Sequence, residues 1–183
     1  MLSIEVENGS LSPSRNYQDI IKVIQDSGMN QEVIEKAIDI FTTMGKAEAK
    51  IHEIPLEKVH FHEVGALDSI IDIVGVSLAL HSLNIDKIYC SPVPLGGGIV
   101  RCEHGTFPVP APATLEMLKG VPLAECNIPF ELTTPTGAGI AVALTNEFVD
   151  EIPEMKVESI GYGAGTYDFE QRPNVLRIII GTT

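Results

Sequence analysis

The sequence predicts an α+β (mixed α/β) fold, a mixed sheet packed with helices and preceded by a helical hairpin. Three observations predict it. Apolar residues recur at helical spacing before residue 55. Beyond residue 56, strand-like and helix-like runs mix without strict alternation. Pro and Gly clusters punctuate the runs, most densely over residues 91–112.

In chain order, residues 1–7 read as a short strand that ends at Asn8-Gly9. Tyr17, Ile20, Ile21 and Ile24 fall at i, i+3, i+4 and i+7, so a helix runs to Ser27-Gly28. Asn30 can cap a second helix, whose stripe is Val33, Ala37, Ile40 and Met44 and which Pro55 must stop. Val59 and Phe61 alternate with His60 and His62, which is strand periodicity. Asp68 then caps a helix over residues 69–83 that is apolar on most sides and is expected to be deeply buried. A strand over residues 85–90 leads into the Pro/Gly-rich passage and a short helix near residues 114–118. A strand over residues 121–125, a helix from Gly137 to Phe148, and strands over residues 156–161 and 175–180 complete the series. Residues 1–55 form the N-terminal strand and helical hairpin and residues 56–183 the α/β core, together expected to make one compact unit.

Composition narrows the function classes. With 12 basic and 25 acidic residues the formal net charge is −13, and no stretch offers the basic footprint that a nucleic-acid binder needs. Such a field suits divalent cations. The three cysteines, Cys90, Cys102 and Cys126, are too widely spaced for a C-x-x-C motif and odd in number, which fits a reducing compartment. The longest apolar run, residues 70–80, is interrupted by Asp72 and is too short to cross a bilayer. Met1-Leu2-Ser3-Ile4-Glu5 has neither the basic start nor the apolar core of a signal peptide. A cytoplasmic location is expected, with no membrane and no nucleic-acid partner.

The strongest local signal is His60-Phe61-His62-Glu63 followed by Asp68 and Asp72. On a strand the two imidazoles share a face, about 7 Å apart at the backbone. Asp68 and Asp72 share a face near the positive end of the next helix. Imidazole with carboxylate suits nickel, zinc or iron(II), and equally acid–base work by Glu63, Asp68 or Asp72. The alternative is a packed histidine beside an ordinary helix cap. Cys102 and His104 form a second i, i+2 pair, a soft sulfur beside a borderline nitrogen, unless Cys102 is core filler. Thr134, Thr136 and Gly137 stand at a helix start, where hydroxyls and free N–H groups receive anions, though Thr and Pro also make plain caps. Gly161-Tyr162-Gly163-Ala164-Gly165 precedes strand-like sequence, so a dinucleotide loop is excluded. It is read as a phosphate-holding backbone nest or a sharp turn, with Arg172 available for a charge-assisted contact.

The run from His60 to Ile70, His-Phe-His-Glu-Val-Gly-Ala-Leu-Asp-Ser-Ile, resembles the signature of the LarC family of nickel insertion proteins. The likeness continues through Ser91-Pro92-Val93-Pro94-Leu95-Gly96, His104-Gly105, Pro108-Val109-Pro110-Ala111-Pro112-Ala113-Thr114 and Thr134-Pro135-Thr136-Gly137-Ala138. It ends with Gly161-Tyr162-Gly163-Ala164-Gly165 and Arg172-Pro173-Asn174-Val175-Leu176-Arg177. The resemblance implies nickel insertion into pyridinium-3,5-bisthiocarboxylic acid mononucleotide, with a carbon–nickel bond flanked by two sulfurs. It implies a CTP-dependent cyclometallase of the lyase class, using Mg2+ or Mn2+ with CTP, in biosynthesis of the nickel-pincer cofactor of lactate racemase. His60, His62, Cys102 and His104 would hold Ni2+; Asp68, Asp72 and Glu63 would be catalytic. Thr134, Thr136, Gly137, Gly163, Gly165 and Arg172 would bind the substrate and its phosphate.

The family's Asp- and Gly-rich opening and its CTP-binding C-terminal domain are not matched here, so the stretch is expected to be the central portion of the enzyme. The partners this implies are the mononucleotide, the C-terminal LarC portion and the lactate racemase apoprotein, with room for a homo-oligomer. Alone, the chain is expected to bind divalent metal weakly and to show no CTP-dependent insertion. Two other readings stay open: a non-catalytic nickel store or chaperone, and a metal-dependent hydrolase.

Overall fold

The computed structural model describes residues 16–61, 67–102, 105–169 and 172–183. The expected strand over residues 1–7 lies outside them. The fold is mixed α+β, and the chain divides into two compact units, Met1–Phe148 and Val149–Thr183. No helix among the described residues is long and apolar enough to cross a membrane.

The first unit is organised by its longest helix. Helix α1 (Tyr17–Gln25) starts where Asn16 Oδ1 accepts the Asp19 N–H at 2.8 Å. Helix α2 (Gln31–Ile51) starts where Asn30 Oδ1 accepts the Glu32 N–H at 2.9 Å. Each cap satisfies an N–H that the first turn leaves orphaned, at about 1 kcal/mol. Along α2, Val33, Ala37, Ile40, Phe41, Met44 and Ala47 are all buried, a spacing that makes it apolar on several sides. It packs against α1, α3 (Leu67–Ser82), α4 (Pro112–Met117) and α5 (Pro135–Leu144). A 3-10 turn (Leu56–Lys58) leads to Val59 and Phe61, both 1% exposed, and the Phe61 ring meets Phe41 at 6.0 Å.

Strands in this unit are short and depend on distant partners. Strand β1 (Tyr89–Cys90) pairs in parallel with β6 (Glu147–Phe148), and β2 (Val93–Pro94) in parallel with β5 (Leu123–Ala124). The helix expected to reach Phe148 stops at Leu144, because the Asn146 N–H donates to Ile88 O at 2.9 Å and draws the chain into β6. The Pro/Gly-rich passage contains an antiparallel hairpin, β3 (Ile99–Cys102) with β4 (Gly105–Pro108). Of the strand expected at residues 59–62, residue 62 lies outside the described residues, and the described part makes one bridge, Asn16 with His60.

Helix α3 departs from expectation in its burial. Only Ser69, Ile70, Ile73 and Ser77 are buried, while Leu67 and Leu78 remain 36% and 41% exposed. Its composition is that of a covered helix, but among the described residues one face alone is covered.

The second unit is a long antiparallel hairpin, β7 (Lys156–Ala164) with β8 (Val175–Thr182). Strand β7 runs straight through Gly161 and Gly163, which pair with Ile178 and Leu176.

Candidate functional site

His60 is placed by its neighbours. Val59 and Phe61 turn into the core, so alternation directs the His60 imidazole to the solvent side, where it is exposed. The Tyr17 N–H donates to Val59 O at 2.9 Å and holds this residue against the start of α1. Asp68 and Asp72 are both exposed on the first turns of α3. Asp68 lies inside the helix, not ahead of it, and its Oδ1 accepts the Ser69 N–H at 2.8 Å; its expected role as N-cap is corrected accordingly. The Asp72 side chain makes no hydrogen bond or ion pair among the described residues. His62, Glu63, His104 and the Cys102 side chain lie outside the described residues. Among those described, no group of three or more His, Cys, Asp or Glu side chains converges on a point that could hold a metal.

A second set of residues gathers where β2 and β5 end. In open parallel sheets ligands approach the carboxyl ends of the strands, where the connecting loops meet. Here the loop after β2 is knitted to the segment that leads into α5. Leu132 N–H donates to Leu95 O at 3.0 Å, Gly97 N–H to Phe130 O at 3.2 Å, and Thr133 Oγ1–H to Pro94 O at 2.7 Å. Gly96 has φ +79° and Gly98 φ +91°. A Cβ on Gly96 would overlap the Phe130 carbonyl, and one on Gly98 would stand 2.8 Å from Pro129 O. Glycine is required here by both torsion and space.

That knitting presents the N-terminus of α5. Thr134 is its N-cap: Oγ1 accepts the Gly137 N–H at 3.2 Å, and its carbonyl accepts the Ala138 N–H at 2.9 Å. Pro135 has no N–H to give. Of the first-turn donors, the Thr136 N–H and hydroxyl are left without a partner among the described residues. The Thr134 hydroxyl is therefore committed to the helix, and Thr136 is the donor still open to an anion. Sequence reasoning missed the part played by Gly96 and Gly98; the signal was three consecutive glycines directly before a β-branched run.

Cys90, at the end of β1, donates to Ser91 O at 3.2 Å. Burial pushes its thiol up from the ordinary value, against an opposing contact from Thr145, so it is not poised as a thiolate.

In the second unit, Gly161 and Gly163 are extended strand residues, which corrects the expected turn or backbone nest. A nest needs successive N–H groups turned to one side, and a strand alternates them. Gly165 closes the ladder by donating to Asn174 O at 3.0 Å, and a Cβ there would lie 2.5 Å from Asn174 Nδ2. Arg172 is exposed nearby in sequence, ahead of β8.

The model of the family described as nickel insertion protein matches residues 2–183. This chain belongs to the nickel insertion protein family. It is 56% identical over 167 residues to the pyridinium-3,5-bisthiocarboxylic acid mononucleotide nickel insertion protein of Geobacillus kaustophilus, covering 91% of this chain and 40% of that one. To the proteins of the same name from Staphylococcus epidermidis and Desulfitobacterium hafniense it is 46% identical over 178 residues and 48% over 167. Those matches cover 97% and 91% of this chain, and 45% and 41% of the relatives. The chain thus spans less than half the length of these family members. No solved structure matches it.

Proposed function

We propose that this chain supplies the metal-handling part of an enzyme that inserts nickel into pyridinium-3,5-bisthiocarboxylic acid mononucleotide. The observation that carries the reading is the family match over residues 2–183, joined to 56% identity with a relative bearing that name. Nickel is a substrate here, not a resident cofactor. Forming a carbon–nickel bond on the pyridinium ring releases the proton of that carbon, so the reaction needs a base beside the metal. Asp68, Asp72 and Glu63 are proposed for this role, and His60, His62, Cys102 and His104 as the borderline and soft ligands that pass Ni2+ to the substrate sulfurs. The exposure of His60, Asp68 and Asp72 supports this, since groups that hand on a metal must be reachable.

The mononucleotide phosphate is assigned to the Thr136 N–H and hydroxyl at the α5 N-terminus, where Thr134 and Gly137 form the cap. Within the hairpin unit, taken by itself, Arg172 is proposed as a charge-assisted contact to the substrate. CTP with Mg2+ or Mn2+ is assigned to the part of the family polypeptide that this chain does not span. The product would go to the lactate racemase apoprotein in the cytoplasm, and the reaction belongs to the lyase class.

The test combines this chain with the complementary portion of the Geobacillus kaustophilus relative, nickel, the precursor, and CTP with Mg2+ or Mn2+. Mass spectrometry should show metallated product only when both polypeptides are present, and His60→Ala with Asp72→Asn should remove it. Product formed without this chain, or undiminished by the double substitution, would sink the proposal.

A further inference from the structure

The outer face of α3 carries small and apolar residues that no described residue covers. Gly75 and Ala79 lie along it, both exposed, with Leu67, Ile71 and Leu78 on the adjoining rows of the same surface. Leu67 and Leu78 are 36% and 41% exposed, and Ile71 is half-buried. The charged side chains of this helix, Asp68 and Asp72, stand at its N-terminal end, with His81 at the other.

Gly75 is the informative residue. A glycine inside a helix costs about 1 kcal/mol relative to alanine, so it needs a reason. The other mid-helix glycines have one within the chain. A Cβ on Gly45 would stand 2.7 Å from Leu56 Cδ1, and a Cβ on Gly139 would stand 2.6 Å from Met44 Cγ. Each marks a place where another element presses onto the helix. At Gly75 nothing lies within 4 Å of the Cβ position. The pressing element is not among the described residues.

We infer that the Gly75–Ala79 face of α3 is the seam at which a helix from the unspanned part of the family polypeptide docks, walling in the Asp68 and Asp72 end. This rests on the proposed assembly with that portion. Two facts select this occupant. Family members are more than twice as long as the region matched, since the matches cover 40–45% of them, so most of their chain must pack elsewhere. A second copy is disfavoured because each chain carries a net charge of −13. Covering the seam would also dehydrate the carboxylates and strengthen any metal contact they make.

The test uses this full chain and, as a separate polypeptide, the complementary portion of the Geobacillus kaustophilus relative. Hydrogen exchange across α3 and the dissociation constant are measured for wild type, Gly75→Leu and Leu78→Lys. The inference expects α3 amides to slow in the complex. It also expects Gly75→Leu to weaken the complex about tenfold or more by blocking close approach, without lowering the Tm of the isolated chain. A complex that forms with α3 exchange unchanged and Gly75→Leu binding normally overturns the seam while leaving the assembly standing. No complex at all removes both. Self-association of the isolated chain that Gly75→Leu abolishes, or α3 already protected in the isolated chain by its own residues 149–183, would assign the face to a different occupant and overturn the inference.

Discussion

Replacing Gly96 with Ala tests whether the loop after β2 depends on the absence of a side chain. Two costs fall on this substitution. The φ of +79° lies in the left-handed region, where an L side chain costs about 1–2 kcal/mol. The new methyl would also overlap the Phe130 carbonyl, which is backbone and cannot rotate away. Relief requires the two segments to part, and with them the bonds from Gly97 N–H to Phe130 O (3.2 Å) and from Leu132 N–H to Leu95 O (3.0 Å). At about 1 kcal/mol each, their loss raises the expected cost to roughly 3–4 kcal/mol. For a chain of this size that is a Tm lower by roughly 6–16 °C. Gly120→Ala is the control: its φ is +82°, but nothing lies within 4 Å of the Cβ position. It should show the torsional cost alone, a Tm lower by roughly 2–8 °C. Thermal unfolding followed by far-UV circular dichroism reads both. Equal losses in the two variants would refute the argument that close approach of the Phe130 carbonyl, and not torsion alone, demands glycine at Gly96.

Other perturbations probe single contacts. Thr114 is fully buried and its hydroxyl has no hydrogen-bond partner among the described residues, so Thr114→Val should stabilise by up to about 1 kcal/mol in urea titration; a clear loss would mean that the hydroxyl is used. Thr134→Ala should cost about 1 kcal/mol and speed amide exchange at Gly137, whereas Thr134→Ser should restore both. Lys119 and then Lys50, at 2.5 and 2.6 Å, hold the Glu116 carboxyl below its ordinary value of 4.5 and tie α2 to α4. A depressed carboxylate contributes stability that is present above its unfolded value and lost as pH falls through the folded one. Wild type should therefore lose more Tm than Glu116→Gln on acidification below about pH 4.5, and parallel curves would dismiss the tie.

What could be read from the chain alone was local. Asn30 caps α2 through a bond spanning two residues, so that start was legible, as was the 3.6-residue stripe from Val33 to Met44; Asn16 caps α1 by an equally local bond that the reading did not single out. The exposure of His60 follows from alternation beside buried Val59 and Phe61, which is a local rule, but no group of three or more His, Cys, Asp or Glu that could hold a metal is found among the described residues. The family resemblance rested on ordered motifs and needed no coordinates.

Other features were decided only in three dimensions. Strands β1, β2, β5 and β6 are two residues each and exist because a partner 30 to 58 positions away supplies hydrogen bonds; two residues carry no period to read. The glycines of β7 were expected to turn, since nothing local records that Ile178 and Leu176 pair with them and keep the strand extended. Gly96 and Gly98 gain their meaning from Phe130 and Pro129, more than thirty positions on. Periodicity reports how apolar a helix is but not what covers it. For α3 the sequence determined an apolar helix, and packing against α2 determined which face is covered, leaving the Gly75 face uncovered among the described residues.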